Sequence, residues 1–263
     1  MLRALYTAAS GMDAQQLNID TIANNLANVN TSGFKQRRTQ FQDLLYQDVR
    51  IAGTANTAST QIPTGLQVGL GTKPTATEPI FTQGDITETD NPLDIVIQGN
   101  GFFQVLQPNG QLAYTRSGNF QLNQDGTVVT TDGDPLDPQI TIPQDQVGIT
   151  VGADGTVSVI HSGQTTPEQV GKIEIALFQN PAGLQSTGKN LFLVTQSSGD
   201  AITGTPGENG LGTLLSGFVE QSNVSVVQEM VNMIVSQRAY EANSKVITTA
   251  DNMIAEANNV VKS

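Results

Sequence analysis

The 263 residues carry 24 Asp and Glu against 12 Lys and Arg, a formal net charge of −12, so a nucleic-acid polyanion is repelled unless a local basic patch intervenes. The absence of cysteine excludes disulfides, thiolate metal sites and cysteine nucleophiles together, and no run approaches the eighteen or so consecutive apolar residues of a membrane span. With 14% charged and 5% aromatic residues, the chain is built of small and neutral polar side chains, and it is long enough to bury a core in one large domain or two.

At the start, MLRALYTAASGMDAQQ has one early Arg, but Tyr6, Thr7 and Asp13 break its apolar run, so no cleavable signal peptide is expected. Leu5, Met12, Ile19 and Leu26 recur every seven residues, with Ala8, Ile22 and Val29 three behind them. This spacing predicts an amphipathic helix of coiled-coil character, ending at Thr31-Ser32-Gly33, where glycine can adopt the left-handed cap. Asn24, Asn25, Asn28 and Asn30 fall in its last turns, although Asn is a poor helix former. The plain reading leaves Asn24 and Asn25 exposed and makes Asn28 and Asn30 caps.

Lys35, Arg37 and Arg38 are the one basic cluster, and three charges after a turn read as a solvated face. Residues 46–74 are rich in Thr, Ala, Gly and Gln with few apolar residues; such a stretch reads as a long structureless loop, either a flexible linker or a functional insertion. The middle of the chain is different. VLQPNGQLAYT, FQLNQDGTVVT and ITVGADGTVSVI each read as two strands about a tight Asn-Gly or Asp-Gly turn, so the centre is antiparallel β.

Three motifs there have a chemical and a plain reading. GNGFFQ (99–104) begins like a dinucleotide fingerprint, but Gln104 replaces its last glycine, which favours a tight turn feeding the buried strand of Phe102, Phe103 and Val105. TTDGDPLDP offers Asp132, Asp134 and Asp137, yet the calcium-loop frame has Asp137 where Gly is needed and Pro143 where Glu is needed; turn carboxylates are expected. The single histidine, His161, reads as an exposed turn residue. Two N-glycosylation patterns, at Asn30 and Asn223, abut helix ends and read as caps. No G-x-S-x-G, P-loop or H-E-x-x-H occurs, so nothing points to an enzyme, a metal or a cofactor.

Val226, Met233, Tyr240, Ile247, Ile254 and Val261 are again seven apart without Pro or Gly between them. They predict a second helix over about 224–261, roughly 55 Å long at about 1.5 Å per residue. The two terminal helices are expected to meet, giving an α+β chain.

ANNLANVNTSGFK (23–35), NPLDIVIQGNGFFQV (91–105), AYTRSGNFQLNQDG (113–126) and QRAYEANSKVITTADNM (237–253) resemble the flagellar basal-body rod and hook proteins of bacteria, in the right order over nearly the whole chain. The segment from Tyr46 to Gly71 resembles the extended insertion of the distal rod members. The resemblance implies an axial structural subunit of the distal rod that polymerises with itself into a rigid helical tube, carrying motor torque to the hook and enclosing the export channel. It further implies export through the flagellar type III apparatus, a rod crossing the periplasm inside the outer rings, and contacts with proximal rod, hook and outer ring proteins.

The implied division is 1–35 with 224–263 as a terminal-helix domain lining the channel, 36–90 with 200–223 as a connecting domain, and 91–199 as an outer β domain. Subunit contacts of the inner helices are expected at Leu5, Met12, Ile19, Asn24, Asn25, Leu26, Asn28, Met233, Tyr240, Ile247 and Ile254, with the Asn amides bonding across to a neighbour. Those of the extended segment are expected at Ile51, Ile62, Pro63, Leu66 and Val68, its few apolar or rigid points. Helices this polar are marginal alone, so both termini are expected to order on assembly. The competing readings are another axial member, proximal rod or hook, and a secreted binding module trimerised by its helices.

Overall fold

A computed structural model describes residues 2–52, 55–57, 60–61, 63–163 and 166–262. The protein is α+β, with one long helix at each end and antiparallel strands between them. It divides into two compact units, Met1–Leu26 with Arg37–Glu78 and Ser225–Ser263, and Ala27–Gln36 with Pro79–Val224. No described helix is long and apolar enough to cross a membrane.

In the first unit α1 spans Leu2–Ala27 and α2 spans Val226–Lys262. α1 stops short of the expected Thr31-Ser32-Gly33. Asn28 instead opens a turn, accepting the Thr31 N–H on its backbone carbonyl (3.1 Å) and the Thr31 hydroxyl on Oδ1 (3.2 Å), the local competition that makes Asn a helix terminator.

Between the helices in the chain, the described residues of 37–79 form paired β strands, a ribbon. Strand Arg37–Asp43 pairs with Thr72–Pro79, and Tyr46–Arg50 pairs antiparallel with Leu66–Gly69, Tyr46 opposite Gly69 and Arg50 opposite Leu66. Ala55–Thr57 pairs with Thr60–Gln61. The described residues of the expected structureless loop are thus largely paired strands. Every side chain of Tyr46–Arg50 is exposed, so neither face had to be apolar and no alternation marked the strands.

The second unit is built around a six-stranded antiparallel sheet, in the order Gln185–Gly188, Leu191–Leu193, Leu112–Thr115, Phe102–Leu106, Ile175–Leu177, Ile202–Gly204. A three-stranded sheet of Gln146–Val151, Thr156–His161 and Glu168–Lys172 lies in the same unit. Ile95–Gln98 pairs with Thr213–Ser216, and Ile86–Glu88 with Phe218–Glu220. The three expected hairpins are present, and their turn glycines Gly110, Gly126 and Gly155 take φ of 81°, 76° and 84°.

The core gathers Ile95, Ile97, Phe103, Val105, Phe120, Leu136 and Ile175 with their neighbours, and Phe103 meets Phe120 edge to face with ring centroids 5.1 Å apart. Gly118 is packed so tightly here that a Cβ would lie 1.7 Å from the Ile95 carbonyl oxygen. Gly118→Ala is therefore expected to destabilise this unit by about 2–3 kcal/mol through forced backbone movement, read as a lowered urea midpoint at unchanged slope.

Candidate assembly surfaces and a buried charge junction

The two terminal helices meet through a seam offset from the apolar series. Asn25 Nδ2 lies 3.3 Å from Glu229 Oε2, and Asn18 Nδ2 donates to Ser236 Oγ at 2.8 Å. A Cβ on Gly11 would lie 2.7 Å from Asn243 Nδ2. Positions 11, 18 and 25 thus oppose 243, 236 and 229, an antiparallel ladder with a seven-residue repeat. Small and polar residues permit this close approach, and their polar groups pair across it.

Asn25 is buried, and both ends of its amide are engaged. Nδ2 donates to the Arg37 carbonyl at 2.8 Å, and Oδ1 accepts the Arg37 N–H at 2.9 Å. The exposed reading does not describe it; within the chain the amide ties α1 to the first strand of the ribbon. Thr21 and Thr39 extend this tie, hydroxyl to hydroxyl, at 2.9 Å.

Because the seam is polar, much apolar surface is left over. Leu5, Met12, Ile19, Leu26, Met233, Ile247 and Ile254 are half-buried, as is Asn28; Asn24 and Tyr240 are exposed. Val261 was expected in this series, but its side chain lies outside the described residues. On the first turns of α2, Val227, Met230, Val231 and Ile234 form an i, i+3, i+4, i+7 stripe, with Val227 73% and Ile234 57% exposed. The ribbon adds Leu45, Tyr46, Val49, Ile51 and Leu66, all more than half exposed. Of the residues expected as its contacts, Ile51, Pro63 and Leu66 are exposed and Val68 is half-buried; Ile62 lies outside the described residues. Groupings of exposed apolar side chains on this scale mark interaction surfaces.

The second unit holds a buried ionic junction. Lys35 Nζ lies 2.5 Å from Glu220 Oε1 and donates to the Thr82 carbonyl at 2.8 Å. Arg116 Nε donates to Glu220 Oε2 at 2.7 Å, and the Gly84 N–H donates to Oε1 at 2.9 Å. The backbone of Glu220 takes part too, accepting the Gly33 N–H at 2.8 Å. Gly33, at φ 70°, passes so close to residues 116 and 117 that a Cβ would sit 2.6 Å from the Ser117 nitrogen; its left-handed backbone serves this packing and not a helix cap. Burial pushes the Glu220 carboxyl upward, but the Arg116 and Lys35 charges and their hydrogen bonds outweigh it and hold the group below the usual carboxylate range.

Lys35 is thereby corrected from a solvated residue to a buried one. Basic residues after a turn are usually hydrated, but the structure pairs this one with a carboxylate 185 positions away, a distance local pattern does not cover. Arg116 and Glu220 were missed altogether. The available signal was a lone charge in each of the charge-poor segments AYTRSG and GFVEQ. The Gly99-Asn100-Gly101 turn also finds its role here: Arg116 Nη2 donates to the Ile97 and Gly99 carbonyls (2.9 and 2.6 Å) and Nη1 to the Gly101 carbonyl (2.6 Å). The turn presents acceptors to an internal guanidinium, the opposite polarity to a phosphate cradle.

His161 is also corrected, since it ends a strand with its side chain largely buried. Its Nδ1 is 3.6 Å from Asp145 Oδ2 and its Nε2 3.4 Å from Glu168 Oε2. Asp134 is buried, and Asp132 lies 3.5 Å from Lys189 Nζ. Among the described residues no group of three or more His, Asp or Glu side chains is placed to hold a metal ion.

Comparison with known proteins points one way. A family model described as "Flagella basal body rod protein" matches residues 5–35, "Flagellar hook protein FlgE/F/G D1 domain" matches 96–159, and "Flagellar basal body rod FlgEFG protein C-terminal" matches 215–260. The chain is 51% identical over 262 residues to the flagellar basal-body rod protein FlgG of Borreliella burgdorferi, covering 99% of each. It is 50% identical over 254 residues to that of Buchnera aphidicola subsp. Schizaphis graminum, covering 97% of this chain and 98% of the relative. For that of Bacillus subtilis the identity is 40% over 265 residues, with 99% of each covered.

Proposed function

Because the chain belongs to the family of flagellar basal-body rod proteins, we propose that it is a structural subunit of the distal rod, polymerising into a rigid helical tube within the flagellar basal body. The observation that carries this reading is the polar helix seam: it joins α1 to α2 through Asn18, Asn25, Ser236 and Glu229 and leaves apolar helix surface exposed for other copies. Apolar patches that meet different patches on the next copy generate open helical assemblies, whereas self-complementary ones close.

In the tube, the terminal helices, 1–35 with 224–263, form the inner part lining the export channel. Residues 36–90 with 200–223 connect it to the outer β part, 91–199. The role is structural and not catalytic. The partners are proximal rod, hook and outer ring proteins, and the subunit is delivered by the type III export apparatus to a rod crossing the periplasm. The half-buried helix residues Leu5, Met12, Ile19, Leu26, Met233, Ile247 and Ile254, with Asn24, Asn28 and Tyr240, contact neighbouring subunits.

Sedimentation of the purified chain at rising concentration tests the reading. Open-ended growth into filaments is expected; a species that stops at three copies would favour a trimeric binding module. The ribbon docks on neighbouring subunits through Ile51, Pro63, Leu66 and Val68 and locks one lattice, which makes the tube straight. Removing residues 46–71 is expected to leave tubes that assemble but bend in electron micrographs, and straight tubes from the deletion would refute the role.

A further inference from the structure

The junction sets two buried cations, Lys35 and Arg116, against one buried carboxylate. Both cations line a cavity of about 240 Å³ whose walls include Phe81, Phe102 and Phe178. The rings brace one another edge to face, Phe81 to Phe102 at 5.3 Å and Phe102 to Phe178 at 5.6 Å, so the wall is preformed and apolar. Lys35 donates two of its three N–H groups, to Thr82 and Glu220, and Arg116 donates four of its five, to Glu220, Ile97, Gly99 and Gly101. One donor on each cation remains, together with one unit of positive charge that Glu220 does not balance. Burial lowers the Lys35 pKa against the pull of Glu220, and repulsion from Arg116 lowers it further. Two buried cations facing one buried carboxylate beside an aromatic wall favour an anion with an apolar body.

We propose that the cavity receives a carboxylate carried on a flat or branched apolar body, its oxygens turned toward Lys35 and Arg116 and its body against the phenylalanines. This goes beyond the role of the chain as a rod subunit. The same chemistry has two sources, an acidic side chain with apolar neighbours on a second copy of this chain, or a free organic acid. The exposed strand Tyr46–Arg50 carries the first kind, with Asp48 beside Val49 and two residues from Tyr46.

The test is titration of the full chain, below the concentration at which it self-associates, with 3-phenylpropionate and with its uncharged amide. The readout is the N–H resonances of Gly99 and Gly101 and the Nε–H of Arg116. The acid is expected to bind roughly tenfold more tightly than the amide, the worth of a charge-assisted hydrogen bond. Asn100→Trp, a change at the exposed cavity rim, is expected to abolish both. Equal binding of acid and amide, or no saturation at concentrations on the order of 10 mM, would overturn the proposal, and this comparison needs no variant to fold. Assembly with saturating acid then identifies the source: inhibition means that a second copy supplies the carboxylate, and unaffected assembly means that a free acid does. A chain that never assembled would refute the rod reading and leave the titration intact.

Discussion

Glu220→Gln is expected to remove about 3–5 kcal/mol of stability from the β unit, because it leaves two buried cations without a counter-charge. The amide keeps one acceptor for either Lys35 or Arg116, now 2.5 and 2.7 Å from the carboxylate, and turns a donor toward the other. Replacing Lys35, Arg116 and Glu220 together with apolar residues of similar volume is expected to regain only part of the loss: the unbalanced charge goes, but the Ile97 and Gly101 carbonyls and the Gly84 N–H lose their side-chain partners.

The same group sets a pH dependence. The folded-state pKa of Glu220 is depressed, so its stabilisation is fully present above the unfolded carboxylate value of about 4.3 and is lost as pH falls from there through the folded value. Chemical denaturation from pH 7 downward is expected to show this loss in the natural chain. Glu220→Gln should lack that component. Parallel curves for the two would mean that Glu220 is not the titrating group.

Asn25→Asp is the second large effect, expected to cost about 3 kcal/mol at neutral pH. The change keeps an acceptor for the Arg37 N–H but removes both donations of Nδ2, to the Arg37 carbonyl and toward Glu229 Oε2. Loss of the donations from a buried amide costs about 1–3 kcal/mol, and a second carboxylate beside Glu229 adds repulsion. Amide exchange reads it out directly: protection across 18–27 and 226–236 is expected to drop roughly a hundredfold at neutral pH, since each factor of ten is about 1.4 kcal/mol. Unchanged protection would mean that the seam does not hold the helices within one chain. The seam also bears on when the termini order, because it supplies inside the chain the partner that polar helices lack alone.

The helices and hairpins were legible because their signals are local. Heptad spacing from Leu5 to Leu26 and from Val226 to Ile254, and turn pairs such as Asp125-Gly126, are repeated patterns over a few residues. The seam was less legible because Gly11, Asn18 and Asn25 share the same spacing but are not apolar, so a search for hydrophobic periodicity passes over them. Strand Tyr46–Arg50 of the ribbon carried no pattern, since with both its faces exposed its side chains need not alternate. Lys35, Arg116 and Glu220 meet only in the folded unit, drawn together from three distant segments, and no spacing in the sequence announces them. His161 was misread for a related reason: the carboxylates flanking it come from the residue just before one neighbouring strand, Asp145, and from the first residue of the other, Glu168.

Electron microscopy of basal bodies from a strain lacking this chain tests the central claim most directly. A short proximal stub without distal rod or hook is the predicted result. Normal flagella in that strain would contradict it.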